Sequence, residues 1–416
     1  MHTSLDKPKV EECLSKRENF RKSYVLLAFA LYILLDGIFR LSSLPQFNNF
    51  DFLKFSPLKV PHRSWVYWNE REFLTSPDKN PPDTALLGSS LMMAALHGGD
   101  AVYLEQPQNV AFHHKSKLLA DLLTAAAGKP ESNFAFALGG EMVSDACILF
   151  EHMLKEKGAP QRVIYGIAPR DFMDSALPSV ASTEIYRYMS HVSDLSDLEM
   201  KARTSPSEKI EYWLGKLSFI AGHKEDFIYI QQRWAKALTE KLLPYKDLDM
   251  VKTPLHIRRQ AFSELPEDSG ANEVLTCPPR VAQEAYEDNL AEYRYRYRKI
   301  NWKQFDDQLS YLERMLSRAR QTGVSVILVN MPLTSDNLAI MPENFYNRYL
   351  EKVTTLAERY QAKVLDLNNS QLFPRCYFAD SVHLNMRGGK HFFEVLAERL
   401  FRSSDPQTKA IMIKQP

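Results

Sequence analysis

The sequence predicts an α/β protein of three layers, helices on both faces of a five-stranded parallel sheet, with a helical insertion and one N-terminal transmembrane helix. Three observations carry that expectation. Short apolar runs bounded by glycine, proline or polar residues alternate with longer helix-forming stretches. The alternation stops between about residues 174 and 304 and then resumes. Residues 24–41 form an apolar run about long enough to cross a bilayer. A chain of 416 residues is long for one core, which fits one enlarged α/β domain carrying a sizeable insertion.

Thr84–Leu87 reads as the first strand, closed by Gly88, which permits a sharp turn into Ser89 and Ser90. Leu91–Leu96 has helix-forming composition, giving a strand–turn–helix elbow, and His97-Gly-Gly-Asp100 reads as the break that ends this helix. A helix over about Lys115–Ala127 and a strand over Phe134–Leu138, ending at Gly139-Gly140, come next. A helix over Ser144–Lys157 then leads to a strand at Arg162–Ile167 that closes on Ala168-Pro-Arg-Asp171. Three strand–loop–helix units in succession imply a parallel sheet, because right-handed crossovers return each strand beside its predecessor or one place over. Beyond the interruption come a helix over Trp302–Thr322, a strand over Val324–Asn330, a helix over Phe345–Tyr360, a strand over Lys363–Leu367 and a last helix over Gly389–Phe401. Five strands in this order give a flavodoxin-like sheet. Ligands of such sheets lie at the carboxyl ends of the strands, where Ser90, Gly140 and Arg170-Asp171 fall.

Tyr24–Leu35 is uninterrupted apolar sequence, and with Asp36 tolerated the run extends to Leu41. Lys16, Arg17, Arg21 and Lys22 precede it, whereas Arg40 is the one close basic residue after it. The positive-inside rule therefore puts the N-terminus in the cytoplasm and everything after about residue 42 on the exoplasmic or periplasmic side. A buried or interfacial helix competes with this reading because Asp36 shortens the clean stretch. A cleaved signal peptide is disfavoured because no small-x-small cleavage site follows. The expected organisation is a cytoplasmic N-terminus (1–22), a signal anchor in the bilayer (23–41), a linker (42–82), the first part of the α/β domain (83–173), a mostly helical insertion (174–304), the second part (305–403) and a tail (404–416). Ser42–Pro82, rich in proline and with Trp65, Tyr67 and Trp68 close together, suits either an irregular strap or an interfacial segment.

The insertion holds helical stretches at Ile210–Ile220 and Phe227–Leu242 and a polar, proline-containing loop around Pro254–Pro279. Glu292–Lys299 alternates aromatic and basic side chains, a pattern that suits an amphipathic surface segment better than a platform for stacked bases. A formal net charge of +1 leaves no excess field to attract phosphates, which argues against a nucleic-acid partner. Four cysteines, Cys13, Cys147, Cys277 and Cys376, are too few for a disulfide scaffold, although an oxidising compartment would allow Cys277 and Cys376 to pair. No metal or other cofactor is expected. His97, His113 and His114 lack a carboxylate spaced to complete a metal site, and Gly139-Gly140 lacks the lysine and hydroxyl of a phosphate loop.

Asp380 and His383 lie three residues apart, so on one helical turn a carboxylate can fix the imidazole's tautomer while the other ring nitrogen faces a hydroxyl. Ser89 or Ser90, after the strand-end glycine, can supply that hydroxyl. Each residue also has a plainer reading, since serine after a strand commonly caps a helix and Asp380 can cap the last one.

Taken jointly, these blocks resemble the SGNH/GDSL hydrolase superfamily over about 84–171 and 324–401, in that family's order. Gly88-Ser-Ser90 stands where the family has Gly-Asp-Ser, which implies Ser90 as nucleophile with Ser89 in the aspartate's place. Gly140 matches the glycine whose backbone N–H helps to bind the oxyanion. Asp380-Ser-Val-His383 matches the terminal Asp-x-x-His block, implying His383 as base and Asp380 as its orienter. Ala168-Pro-Arg-Asp171 departs from the family's Gly-x-Asn-Asp and puts Arg170 where an asparagine would donate to the oxyanion; a guanidinium can donate there, hold an anionic substrate group, or pair with Asp171. An anchored, outward-facing domain is similar to the D-alanyl transfer protein of teichoic acid modification and to alginate-type O-acetyltransferase accessory proteins. That likeness implies the bilayer, an acylated glycan or lipid substrate and a multi-pass membrane acyltransferase as partners.

Overall fold

The computed structural model describes residues 8–42, 65–106, 112–224 and 286–401, with isolated positions at 108, 227, 231 and 238. Two compact units result, residues 1–60 with 205–250 and residues 61–204 with 251–416. In chain order the helices are α1 (Pro8–Ser42), α2 (Trp65–Thr75), α3 (Ser90–Tyr103), α4 (Lys117–Ala127), α5 (Val143–Glu156), α6 (Pro169–Phe172) and α7 (Glu184–Val192). They continue with α8 (Pro206–Leu217), α9 (Phe219–Gly222), α10 (Leu290–Tyr297), α11 (Trp302–Gln321), α12 (Ser335–Ala339), α13 (Phe345–Arg359) and α14 (Met386–Phe401).

The larger unit is built on strands β1 (Thr84–Gly88), β2 (Asn133–Ala137), β3 (Arg162–Ile167), β4 (Ser325–Asn330) and β5 (Lys363–Asp366). They pair in the order β2-β1-β3-β4-β5, parallel throughout, which is the flavodoxin-like order. Both faces of the sheet are covered, so the strands carry continuous apolar sequence rather than alternation: Ala85, Leu86 and Leu87 are each wholly buried, as are Val163 and Ile164. Helices α3, α4 and α14 pack together in one layer, and α11 packs with α5 and α13 in the other.

Three expectations need correction. The segment ahead of the sheet is not wholly irregular, because α2 buries Val66, Asn69, Glu70 and Phe73, a stripe at helical spacing. Phe73 sets its ring 4.9 Å from that of Phe136, and Asn69 Nδ2 donates to the Ala135 carbonyl at 2.6 Å. Two polar residues in the middle of the stripe hide its period in the sequence. Second, the supposed helix break at His97-Gly-Gly-Asp100 does not occur, since α3 runs through it to Tyr103. Those glycines are packing sites: a Cβ on Gly99 would lie 3.1 Å from the Gly389 carbonyl carbon, and one on Gly389 would lie 2.5 Å from the Ala95 oxygen. Third, Ile210–Ile220 is two helices, broken at Ser218, whose hydroxyl accepts from the Ala221 N–H and caps α9.

The expected insertion divides between the units. Residues 174–204 lie with the larger one, where Ile185, Tyr186 and Met189 of α7 enter the core. The aromatic–basic alternation is a short amphipathic helix, α10. Tyr293 and Tyr297, four apart, are buried, while Arg296 pairs with Glu292 and Asp174. Phe227–Leu242 falls mostly, and Pro254–Pro279, Cys277 and the tail from 404 fall wholly, outside the described residues.

In the smaller unit one window of α1, Tyr24–Leu41, is long and apolar enough to cross a membrane, with a mean hydropathy of 1.9 and only 6% of it buried. Many of its apolar side chains, among them Leu26, Phe29 and Ile33, stand more than half exposed.

The glycine contact between α3 and α14 gives a stability prediction. Gly389→Ala forces a methyl group against backbone that cannot swing aside, and should destabilise the chain by about 1–3 kcal/mol, read as a lower urea midpoint for the full chain in detergent.

Candidate active site

β1 ends at Gly88, whose φ of +147° and close approach to β3 only glycine supports: a Cβ there would lie 2.8 Å from the Gly166 oxygen and 2.9 Å from the Met92 Cβ. The chain turns through the extended Ser89 into α3, with Ser90 as its first helical residue. The Ser90 N–H therefore has no acceptor within the helix and sits at the positive end of its dipole. Ser89 and Ser90 differ in access. Ser89 is 2% exposed and its side chain lies toward Asp171, whereas Ser90 is half-buried.

Asp380 and His383 come from a tight turn and not from a helix, which begins only at Met386. Phe378 and Leu384 bridge antiparallel, and the Ala379 N–H donates to the His383 carbonyl at 2.8 Å. The Asp380 Oδ1 accepts the N–H groups of Val382 and His383 at 2.9 and 2.8 Å. A carboxylate that takes two successive amides closes an Asx-type turn in competition with a helix, which is why the i, i+3 spacing misleads about the backbone yet holds for the side chains.

The other Asp380 oxygen, Oδ2, accepts from His383 Nδ1 at 2.6 Å, which leaves Nε2 as the bare lone pair. His383 Nε2 in turn accepts from the Ser90 hydroxyl at 2.8 Å, across 293 residues of sequence. Burial works against the Asp380 charge. The hydrogen bond and charge of His383, with the two turn amides, outweigh it and hold the carboxyl below its ordinary range. Both side chains remain about one-sixth exposed.

Sequence reasoning missed the groups that brace this turn. Ser381 donates its N–H and its hydroxyl to Asn289 Oδ1, at 3.0 and 2.5 Å, and accepts from Asn337 Nδ2 at 3.1 Å. Its carbonyl accepts from the Thr334 hydroxyl at 2.8 Å. Thr334-Ser-Asp-Asn337 is legible as a helix cap, since the Thr334 hydroxyl accepts from the Asn337 N–H, but nothing in sequence ties it to Ser381.

Arg170 is turned into the protein. The residue is 5% exposed and its guanidinium donates inward, from Nε to Asp174 at 3.0 Å, from Nη1 to the Glu141 carbonyl at 2.9 Å and to Asp171 at 3.3 Å, and from Nη2 to the Gly140 carbonyl at 3.2 Å. Its geometry is that of a brace for the Gly140–Glu141 turn, where Gly140 has a φ of +82°. Beneath the turn the Glu141 carboxyl accepts the Gly88 N–H at 3.1 Å. Burial, with the neighbouring Asp145 and Asp171, pushes the Glu141 carboxyl well up. Burial also raises Asp171, to about 6 against the pull of Arg170, and Asp145, to about 7 against hydrogen bonds from Thr183 and Met142.

The histidines set aside as metal ligands have structural work. His97 bonds through its two ring nitrogens to the carbonyls of Met93 and His113, His113 pairs with Asp100 at 2.6 Å, and His114 lies 3.0 Å from Asn69 Nδ2. A separate cavity of about 730 Å³ is lined by Glu151, His152, Arg314 and Arg318, but Arg314 is already held by Glu151 and Asp197.

The fold and the site together define an α/β protein with a flavodoxin-like sheet and a hydrogen-bonded serine–histidine–aspartate line, its serine raised just past the carboxyl end of β1. The chain belongs to the family described as protein of unknown function (DUF1574), whose model matches residues 108–400. Gly140, Arg170, Asp380 and His383 lie within that match, while Ser90 precedes it. Among solved structures the chain is similar to a mutant of Axe2, an acetyl-xylooligosaccharide esterase from Geobacillus Stearmophilus. The two are 10% identical, with 77% of this chain and 94% of that chain covered, and a TM-score of 0.32. A likeness of that size decides nothing about the reaction. No curated protein matches the sequence.

The buried acids give a pH prediction. Asp145 has a folded pKa of about 7 against 3.8 as the ordinary value, so the folded chain holds this proton more tightly than the unfolded one. Stability from this group is fully present below about pH 3.8 and is lost as pH rises through about 7. Asp145→Asn should flatten the fall in unfolding free energy between about pH 4 and 7, measured by urea titration across that range.

Proposed function

We propose that the chain is a membrane-anchored serine esterase or O-acyltransferase of the SGNH type, acting on an envelope glycan or lipid. The observation that carries this reading is the pair of contacts made by His383, 2.8 Å to the Ser90 hydroxyl and 2.6 Å to the Asp380 carboxylate. A serine that merely capped α3 would have no need of an oriented imidazole, and a histidine with a bare Nε2 facing a hydroxyl is a general base in position.

The chemistry runs in two halves. Ser90 Oγ attacks an ester carbonyl carbon while its proton passes to His383 Nε2, and the ester oxygen gathers negative charge. The N–H groups of Ser90 and Gly140 are the donors for that oxyanion. As the carbon–oxygen bond to the leaving alcohol breaks, His383 returns the proton to that alcohol, leaving the acyl group on Ser90. Water or a sugar hydroxyl then gives its proton to His383 and attacks the acyl carbon, and Ser90 leaves with the proton. Asp380 keeps Nδ1 as the donor throughout and stabilises the imidazolium.

Arg170 bears on the rate. Where relatives of the resemblance have an asparagine that donates to the oxyanion, this residue donates to Gly140 and Glu141 carbonyls instead. A missing donor typically costs about 10²–10³ in rate, so slow turnover is expected. The same feature favours a second reading, an SGNH-fold scaffold without turnover that supports a membrane acyltransferase.

Placement at a membrane is part of the proposal. The apolar window of α1 supplies the anchor, and Lys16, Arg17, Arg21 and Lys22 ahead of it against Arg40 alone behind it favour a cytoplasmic N-terminus with the α/β unit outside.

A fluorophosphonate probe separates the two readings. It should label Ser90 in the full chain, with labelling lost in Ser90→Ala and in His383→Ala, and an unlabelled wild type would leave the scaffold. Asp380→Asn should slow acylation by about 10⁴ because the imidazole loses its tautomer. Cells carrying Ser90→Ala should show altered acyl content of an envelope polymer; identical content in wild-type and mutant cells would remove the transferase.

A further inference from the structure

Asp36 is the residue that interrupts the apolar run of α1, and the smaller unit shows what it does there. Its Oδ1 accepts the Ser218 hydroxyl at 2.6 Å and the Ile220 N–H at 2.8 Å, so it closes the start of α9. One turn either side of it, the Tyr32 hydroxyl bonds to that of Ser218 at 2.5 Å and Arg40 Nη2 donates to the Leu217 carbonyl at 2.7 Å. The joint between α8 and α9 is thus held by three residues of α1, all within the apolar Tyr24–Leu41 window.

α8 presents a bare apolar stripe beside that joint. Ile210, Trp213, Leu214 and Leu217 recur at i, i+3, i+4 and i+7 and are 61%, 55%, 53% and 74% exposed. The opposite side of the helix is taken up by α9: a Cβ on Gly222 would lie 2.6 Å from the Gly215 oxygen, and Gly215 stands about 140° around the helix from Ile210. Close packing on the Gly215 side leaves the stripe facing outward. Lys209 and Lys216 lie along one edge of it and Glu211 along the other, and the two lysine stems are long enough to carry their ammonium groups to the headgroups.

We propose that α8 and α9 form an interfacial helical hairpin, its Ile210–Leu217 stripe seated in the acyl chains of the same bilayer leaflet that holds the last turns of α1. This rests on the reading of α1 as a membrane anchor. The occupant follows from continuity. The joint at the end of α8 is hydrogen-bonded to the last turns of an 18-residue apolar window of α1 that is itself almost wholly uncovered, and the medium that covers that window extends over its neighbour. Seating also settles Asp36, whose carboxylate at this depth meets a hydroxyl and a backbone amide and not hydrocarbon. The chain is then attached to the bilayer at two places, through α1 and through residues 205–222.

Trp213 is a built-in reporter. The full chain and its Trp213→Phe variant are reconstituted into phosphatidylethanolamine–phosphatidylglycerol vesicles containing lipid brominated on the acyl chain near the carbonyl end, and the difference between them gives the Trp213 emission. The expected result is at least twofold quenching by brominated lipid, with little quenching by aqueous iodide. Quenching by iodide alone overturns the proposal, because the stripe then faces water. Shielding from both quenchers overturns it too, because the stripe is then covered by protein, a second copy or a membrane partner. Alkaline carbonate extraction of the same vesicles tests the anchor separately: a chain that stays in the membrane fraction while Trp213 is open to iodide loses the hairpin and keeps the anchor, and a chain that extracts loses both.

Discussion

The close crossing of α3 and α14 is the contact on which the arrangement of the site depends. Ser90 is the first residue of α3, and His383 lies three residues before α14. The distance between hydroxyl and imidazole is therefore set by how nearly these two helices approach. Glycine at positions 98, 99 and 389 lets backbone meet backbone, with Gly98 against Met386, Gly99 against Gly389 and Gly389 against Ala95. A methyl group at the crossing would separate the helices by a sizeable part of an ångström. A hydrogen bond of 2.8 Å tolerates little such movement before it weakens. Packing away from the Ser90–His383 hydrogen bond thus governs its geometry.

A second constraint lies beneath the turn after β1. Glu141, Asp145 and Asp171 are fully sequestered together with Arg170, an arrangement that costs stability unless every partner is present. What it secures is position. Glu141 holds the Gly88 N–H, Asp171 holds the Ala168 N–H, Asp145 holds the Met142 N–H, and Arg170 holds the carbonyls of Gly140 and Glu141. These bonds tie the carboxyl ends of β1, β2 and β3 into one platform under Ser90. An asparagine at position 170 would offer fewer donors to the same carbonyls.

The smaller unit uses polarity in the same way. An aspartate in an apolar helix reads from sequence as a defect in a membrane span, but with Ser218 and Ile220 as donors it becomes the attachment point for a second helical element. A buried or bilayer-facing charge is tolerable where its hydrogen bonds come from the protein itself.

Local pattern alone was enough for the α/β class, the five strands and their parallel order, because strands buried on both faces write themselves as apolar runs and right-handed crossovers leave few ways to connect them. It marked Asp380, His383 and the Ser89-Ser90 pair as well, but did not choose between the two serines; the contact of His383 with Ser90 is a tertiary one. Tertiary structure decided the rest, since each remaining point turns on a partner distant in sequence. Gly98-Gly99 is a packing site only when Gly389 is opposite it, and α2 is a helix because Asn69 and Phe73 have the sheet to meet. Arg170 is a brace because Glu141 and Asp174 surround it, and Ser90 faces His383 because two glycine-lined helices cross. Periodicity records what a residue prefers locally, whereas the free energy of a buried polar or close-packed group is set by the neighbour that three-dimensional folding supplies.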